Sequence, residues 1–324
     1  MSSRRAARAL AICSAACATL GALAGAHAFG AFSAQATNSG NVIATRPDFK
    51  PPQVVRAVIA KTTGFDPDWV RQGGQYYVYA QIVDSGNPPS GIATVTANVA
   101  SLTSGQTAVT LVAGSYTVGG QTYNYRSAAL TAQNPLAAGV YSFSIATTDN
   151  AGNAGTFGPY TVNVDNTAPQ GVDVQTQNGG ATACRPESGD TVTFTYSEPI
   201  DPQSILAGWD GSPTTVTVRI VNTLFVNDRL TVWNAANTTQ LPVANPLSLG
   251  RTDYVGANRN FNNSTMQRTG NTIVVTLGTP SGGVTTAGGN GNMTWTVPAG
   301  AYDGAGNAIA TGNVNESGAA DCEF

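Results

Sequence analysis

The chain has 324 residues and a formal net charge of −3, and only 10% of its residues are charged. Hydrophobic residues make up 41%, which argues against a chain that is disordered for lack of core-forming side chains. The only lysines are Lys50 and Lys61, so the chain has no basic stripe and nucleic acid is not an expected partner.

Residues 1–28 have the three parts of a secretory signal peptide. Arginines near the start are followed by an uncharged run, rich in alanine and leucine, over residues 9–25. Small residues then stand at the two positions that signal peptidase reads, which predicts cleavage after Ala28. The run is short for a membrane span. We therefore expect a secreted, extracellular protein, free or associated with the cell surface, with no span in the mature chain.

Residues 29–52 are polar and end in Pro51 and Pro52, which predicts a leader followed by a stiff linker. Residues 31–41, Ala-Phe-Ser-Ala-Gln-Ala-Thr-Asn-Ser-Gly-Asn, resemble the stretch that follows the signal in secreted proteins of the camelysin and TasA type and in Gram-positive surface proteins with immunoglobulin-like domains. The resemblance implies export and assembly into a fibre or coat.

Beyond Val54, apolar and polar residues alternate in short segments separated by Gly, Asn, Asp, Pro and Ser. The apolar positions of these segments are Tyr141, Phe143 and Ile145; Tyr160, Val162 and Val164; Val192, Phe194 and Tyr196; Val216, Val218 and Ile220; Ile273, Val275 and Leu277; and Met293, Trp295 and Val297. One apolar and one solvated face per strand is typical of an antiparallel β-sandwich. No helical stripe is present to supply the crossovers of a parallel sheet. The pattern predicts an all-β protein.

The boundary between two sandwich domains is expected at 165–169, Asp-Asn-Thr-Ala-Pro, where a predicted strand ends and proline favours extended backbone before it. Domain one is predicted over 53–167 and domain two over 168–324. Domain two is larger than a minimal sandwich. We place the excess at 224–267, as an insertion that adds strands or a long hairpin.

Domain one resembles a bacterial immunoglobulin-like domain. The likeness is carried by residues 90–99 (Ser-Gly-Ile-Ala-Thr-Val-Thr-Ala-Asn-Val), 139–143 (Gly-Val-Tyr-Ser-Phe) and 148–153 (Thr-Asp-Asn-Ala-Gly-Asn). In that family a closing strand runs into an Asp-Asn-Thr-x-Pro linker, which residues 165–169 match.

Domain two is similar to the immunoglobulin-like domains of bacterial S-layer and adhesin proteins. Its opening residues 189–202, which include Thr-Tyr-Ser-Glu-Pro, and its later Asp-Gly-Ala-Gly-Asn at 303–307 carry the likeness, whereas 224–267 departs from the pattern. Together the resemblances imply two immunoglobulin-like antiparallel β-sandwich domains in an exported protein, with a structural or adhesive role.

Two cysteines, Cys184 and Cys322, remain after removal of the signal. An even pair in an exported protein predicts a disulfide, here between the start of domain two and the end of the sequence. Two free thiols or a metal-binding pair are the alternatives.

The only histidine, His27, lies in the predicted signal, so the mature chain has no Ser-His or Cys-His pair and no imidazole metal ligand. Glycoside hydrolases use a pair of carboxylates. Two such pairs are present in the sequence, Glu198 with Asp201 and Asp66 with Asp68. Each pair flanks a proline, which favours a strand end or a turn. We therefore predict no catalytic residues.

The element Asp-x-Ala-Gly-Asn occurs twice, at 149–153 and 303–307. One interpretation is a tight turn in which the Asp and Asn side chains bond to nearby backbone. The other is weak calcium binding, since Asp and Asn oxygens suit that cation, and the family resemblance implies that calcium would stiffen a tandem. Each loop brings one carboxylate, so another acid would have to complete the site. The candidate calcium ligands are Asp149, Asn153, Asp165, Asp303 and Asn307.

Tyr77 and Tyr79 lie on the strand face opposite Tyr76, so one group is expected in the core and the other in solvent. An exposed tyrosine row would stack on sugars or bind a partner. The function predicted first is an exported, non-catalytic structural or adhesive module whose partner is a protein, a cell-wall glycan or another copy of the chain. The alternative is an extracellular carbohydrate-binding protein with Tyr77 and Tyr79 as its platform, and the third candidate is an extracellular hydrolase.

Overall fold

The structure is a computed structural model that describes residues 37–38, 41–42, 48–61, 66–223 and 225–324. The predicted signal peptide, with its cleavage point after Ala28, lies outside the described residues. Within the leader, β1 (Thr37–Asn38) pairs antiparallel with β2 (Asn41–Val42).

The first large sheet contains nine strands. They are β3 (Gln53–Ala60), β4 (Trp69–Val70), β5 (Gln75–Val83), β6 (Ile92–Asn98), β7 (Val109–Val118), β8 (Gln121–Ser127), β9 (Leu130–Thr131), β10 (Gly139–Asp149) and β11 (Ala154–Val164). Their order is β3-β5-β8-β7-β6-β10-β11-β4, and β9 pairs with β5. Only the pairing of β11 with β4 is parallel among these described strands.

The second large sheet contains ten strands. They are β12 (Gly171–Gln177), β13 (Thr191–Tyr196), β14 (Thr214–Val221), β15 (Arg229–Asn234), β16 (Leu247–Ser248), β17 (Arg259–Thr269), β18 (Thr272–Thr276), β19 (Thr279–Pro280), β20 (Thr294–Val297) and β21 (Gly312–Asn315). Their order is β12-β13-β18-β17-β14-β15-β16-β20-β21, and β19 pairs with β17. One short helix, α1 (Pro202–Ile205), follows β13.

The prediction of an all-β fold is confirmed, because two large sheets hold nearly all of the regular structure of the described residues. Strands β3 to β11, which precede the predicted boundary at 165–169, belong to the first large sheet, and strands β12 to β21, which follow it, belong to the second. No helix in the described ranges is long and apolar enough to cross a membrane.

The inward-facing residues of each sheet form a separate core, as the alternation predicted. Phe143 and Ile145 of β10 are buried in the first core. In the second core, the Trp295 ring centroid lies 5.1 Å from that of Phe194 and 5.2 Å from that of Tyr196. The Trp295 indole N–H donates a hydrogen bond to the Val243 carbonyl at 2.8 Å. Trp295 is fully buried, and its indole N–H still has a hydrogen-bond acceptor. This tryptophan therefore packs at the centre of the second core at no cost in unsatisfied polar groups.

The described residues of the predicted insertion, 225–267, belong to the second sheet. They contain β15, β16 and most of β17, and Leu230, Val232 and Leu247 from this stretch are fully buried. β15 and β16 lie between β14 and β20, whereas β17 lies between β18 and β14, so the stretch contributes to the core on both sides of β14.

Cys184 and Cys322 are joined by a disulfide, as predicted, with their Cα atoms 5.0 Å apart. The backbone N–H of Cys184 also donates a hydrogen bond to the Phe324 carbonyl at 2.6 Å. The covalent bond and the hydrogen bond together fasten residues 322–324 to the segment between β12 and β13.

Candidate functional site

Both Asp-x-Ala-Gly-Asn segments fold into the same turn. In the first, Asn153 donates from its backbone N to Asp149 Oδ1 at 2.7 Å and from its side-chain Nδ2 to Asp149 Oδ2 at 2.7 Å. In the second, Asn307 makes the same two bonds to Asp303, at 2.7 and 2.8 Å. The aspartate is thus held by the asparagine four residues later, and the turn interpretation of both segments is confirmed.

Each turn also holds the segment of chain that leads into its own sheet. Asn153 Nδ2 donates to the Asp48 carbonyl at 3.0 Å, ahead of the first sheet. Asn307 Nδ2 donates to the Asp165 carbonyl at 3.0 Å, ahead of the second. The same asparagine contact therefore recurs at the entry to each sheet.

The repeated asparagine contact has a signal in the sequence that was not among the motifs described above. Residues 48–53 read Asp-Phe-Lys-Pro-Pro-Gln, and residues 165–170 read Asp-Asn-Thr-Ala-Pro-Gln. Both are Asp-x-x-x-Pro-Gln, and the first residue of each is the one whose carbonyl the asparagine contacts. Comparison of the segments ahead of the two predicted domains would have found it.

Three carboxylates meet at the second turn. One oxygen each from Asp165, Glu198 and Asp303 lies within 4.8 Å of the others. Asp165 follows β11, Glu198 follows β13, and Asp303 opens the turn, so the group sits where the two sheets join. We call these three residues the acidic joint.

The acidic joint unites part of the predicted calcium set. Asp165, Asp303 and Asn307 are together, since Asn307 contacts both aspartates. Asp149 and Asn153 belong to the other turn, next to Asp48, and are not members of the joint. Glu198 is the further acid that the predicted calcium set lacked. The sequence pattern indicated it only as one member of a carboxylate pair with Asp201.

Burial and the neighbouring charges of Asp165 and Asp303 raise the pKa of Glu198 to about 7. Burial likewise raises the pKa of Asp303. The Oε1 atom of Glu198 is buried and accepts no hydrogen bond from the described residues. Such an oxygen is costly unless a proton or a cation compensates it.

The linker 165–170 is hydrogen-bonded to the first sheet. Asp165 N donates to the Val70 carbonyl at 3.0 Å, next to the acidic joint. Asn166 Oδ1 accepts a hydrogen bond from Gln72 N at 2.8 Å. Both partners belong to or follow β4, the strand that runs parallel to β11.

The same linker is hydrogen-bonded to the second sheet. Ala310 N donates to the Pro169 carbonyl at 2.8 Å. Gln170 and Ser197 exchange two bonds, since Gln170 N donates to Ser197 Oγ and Ser197 N donates to the Gln170 carbonyl, each at 2.9 Å. Contacts on both sides fix the direction in which one sheet follows the other.

Lys61 reaches across from the first sheet to the second. Its Nζ lies 3.8 Å from Asp201 Oδ2 and donates a hydrogen bond to the Gly304 carbonyl. Burial lowers the pKa of Lys61, opposed by the charges of Asp201 and Asp303. A cleft of about 450 Å³ lies beside these residues. The ion pair is therefore a partly desolvated contact between the two halves of the protein.

The two carboxylate pairs considered for hydrolysis are divided among structural roles. Glu198 belongs to the acidic joint, whereas Asp201 caps α1 by accepting a hydrogen bond from Gln203 N at 3.0 Å. Asp66 lies against Gly304, where an added Cβ would stand 2.8 Å from Asp66 Oδ2. Burial raises the pKa of Asp68. The absence of catalysis stays a prediction.

The tyrosines of β5 are packed on both faces. Tyr76 is fully buried in the first core, and Tyr79 is 4% exposed in a second, smaller cluster. Tyr77 is partly exposed, with the Arg126 guanidinium carbon 4.8 Å from its ring centroid and 4.5 Å from that of Tyr116. The proposed sugar platform of Tyr77 and Tyr79 is thus corrected, because Tyr79 lies beneath neighbouring rings and cannot stack on a ligand.

No protein-family model matches the chain, and no curated protein matches it at a significant level.

The raised pKa of Glu198 predicts how stability depends on pH in the absence of added cations. Folded Glu198 keeps its proton up to about pH 7, whereas an ordinary glutamate loses it near 4.5. Between these values the folded state binds more protons than the unfolded state, so stability falls as pH rises from about 4.5 to 7. We expect Glu198→Gln to make the thermal midpoint less dependent on pH over this window. An equal slope in variant and wild type would contradict the assignment.

Proposed function

We propose that the chain is an exported, non-catalytic structural or adhesive module, in which two immunoglobulin-like sandwich domains are joined end to end at the cell surface. The single observation that carries the proposal is the linker 165–170, which is hydrogen-bonded to both sheets and contributes Asp165 to the acidic joint. The signal-like residues 1–28 and the family resemblance support the extracellular setting.

A linker of this kind suits a spacer better than an enzyme. Domains joined by free linkers move independently by default. Here the backbone of Asp165, Pro169 and Gln170 is bonded to one sheet or the other, and Lys61 adds an ion pair to Asp201. Fixed geometry between domains is what a surface protein needs in order to hold a partner at a distance. The partner class stays as predicted: a protein, a cell-wall glycan or another copy of the chain.

The acidic joint is proposed to bind calcium. Three carboxylates converge there, and one of them has a buried oxygen that accepts no hydrogen bond from the described residues. Calcium takes six to eight oxygen ligands, and sites in extracellular modules bind it with dissociation constants of roughly 10⁻⁴–10⁻³ M. Asp165 opens the linker and is bonded to the first sheet, whereas Asp303 belongs to the second half of the chain, so an ion that they share would strengthen the attachment of the linker to the second domain.

Calcium is expected to protect the linker from proteolysis. In wild-type protein, the rate at which proteinase K cuts within 165–170 should fall when calcium is present and rise on addition of chelator, because the ion couples linker and turn. Asp303→Asn and Glu198→Gln should each abolish the difference.

Asp149→Asn is the matched control for this experiment. Asp149 forms the same turn with Asn153, but it lies outside the acidic joint. The variant should weaken the first turn and still show calcium-dependent protection of the linker. A cutting rate that is the same with calcium and with chelator in wild-type protein would remove the ion from the proposed function.

A further inference from the structure

A second group of carboxylates lies beside the disulfide of the second sheet. One oxygen each from Glu316, Asp321 and Glu323 lies within 4.8 Å of the others. Glu316 follows β21, and Asp321 and Glu323 flank Cys322. The sequence analysis assigned no role to these acids, and none of them belongs to the acidic joint.

Glu323 is buried in an unusual way for a charged residue. It is 0% exposed, and its Oε2 accepts a hydrogen bond from Thr176 Oγ1. Its Oε1 accepts no hydrogen bond from the described part of the chain. Carboxylates are almost never fully buried unless they are paired or bind a metal. The Glu323 carboxyl lies within hydrogen-bonding reach of the Glu316 carboxyl, so it needs either a proton shared with Glu316 or a cation in its place.

The surroundings of Glu323 hold further negative charge. Burial raises the pKa of Glu323, and the charges of Glu316 and Asp321 add to the effect. The carboxylate of Asp173 lies close enough to contribute to the raised pKa of Glu316. Among the described residues, no ion pair joins Glu316, Asp321 or Glu323 to a basic side chain.

The three acids are held by the backbone around them. Glu316 Oε2 accepts a hydrogen bond from Met293 N at 3.0 Å, and Glu323 N donates to the Tyr254 hydroxyl at 2.7 Å. Asp321 is bridged to Gly291, whose N–H donates to the Asp321 carbonyl at 2.7 Å. The Glu316 carboxylate and the backbone of Asp321 and Glu323 are therefore held in place by the second sheet and its loops.

We propose that Glu316, Asp321 and Glu323 form a binding site for a hard divalent cation, calcium foremost, that is separate from the acidic joint. All three side chains supply oxygen, which is the ligand atom calcium and magnesium prefer. Exposure decreases from Asp321, which is exposed, through Glu316 to buried Glu323, so an ion can enter from solvent and end against the unpartnered oxygen. This inference does not rest on the proposed function.

The test uses the full chain carrying Asp303→Asn, which disables the acidic joint. Calcium is titrated calorimetrically, and Tb³⁺ is followed by luminescence sensitised by Tyr254, whose hydroxyl touches the Glu323 backbone. We expect one ion per chain at this site. Glu323→Gln should abolish binding, and Asp321→Asn should weaken it at least tenfold.

Asp321→Asn keeps the test valid if the buried variant fails to fold, because Asp321 is exposed. Asp210→Asn is the control for general charge, since Asp210 is an exposed acid of the same half of the chain that lies outside both groups. It should leave the affinity unchanged.

The inference is overturned if the Asp303→Asn chain binds neither ion at millimolar concentration, or if Asp321→Asn and Asp210→Asn bind equally well. Binding by wild type that disappears in Asp303→Asn would leave the proposed function intact and remove this site. Binding that survives Asp303→Asn and is lost in Asp321→Asn, together with a linker insensitive to chelator, would support this site and remove calcium from the joint.

Discussion

Replacing Cys184 and Cys322 together by serine is expected to lower the free energy of unfolding of the second domain by about 4–5 kcal/mol. The disulfide spans a sequence separation of 138 residues, and a closed loop of that size strongly restricts the unfolded chain. Urea unfolding monitored by tryptophan fluorescence measures the loss, since Trp209, Trp233 and Trp295 all lie in this domain.

Wild-type protein under reducing conditions is the control for the double variant and should unfold at the same urea concentration. The unfolding transition of the first domain should not move, because the disulfide lies entirely within the second half of the chain. A loss of less than about 1 kcal/mol would show that the loop-closure account of this bond is wrong.

Trp295→Ala is expected to cost the second domain about 3–5 kcal/mol. The indole is fully buried between Phe194 and Tyr196, and its removal leaves a cavity and deprives the Val243 carbonyl of its donor. Urea unfolding followed by circular dichroism gives the change in free energy.

Trp69→Ala is the comparison, because Trp69 is 39% exposed on the short strand β4. It should destabilise the first domain by clearly less than Trp295→Ala destabilises the second. Equal costs for the two substitutions would contradict the position of Trp295 at the centre of its core.

The sheets could be predicted from the sequence because alternation is a local property. Val192, Phe194 and Tyr196 follow a period of two and are all buried, as expected. The strands of 224–267 were harder to place. β15 and β16 are short, and β16 has only two residues. The positions of these two strands and of the longer β17 depend on pairing with β14, β18 and β20, which lie outside the stretch.

The candidate site could be predicted only in part, for the same physical reason. The turn of Asp303 and Asn307 was visible in the sequence because its bonds span four residues. Glu198 joins Asp165 and Asp303 only after strands distant in sequence have paired. The burial of Tyr79 depends likewise on Tyr116 and Tyr123, which approach it from β7 and β8 at centroid distances of 5.9 Å.

The disulfide has a mechanical consequence for the adhesive role proposed above. A pull applied to the backbone on either side of Cys184 and Cys322 passes through the covalent sulfur bridge and bypasses the residues between them. Strands β13 to β21 lie inside that bypassed stretch. Under load, the residues between the two cysteines cannot extend until the bridge is reduced, whereas residues 53–167, which contain no cysteine, have no such restraint.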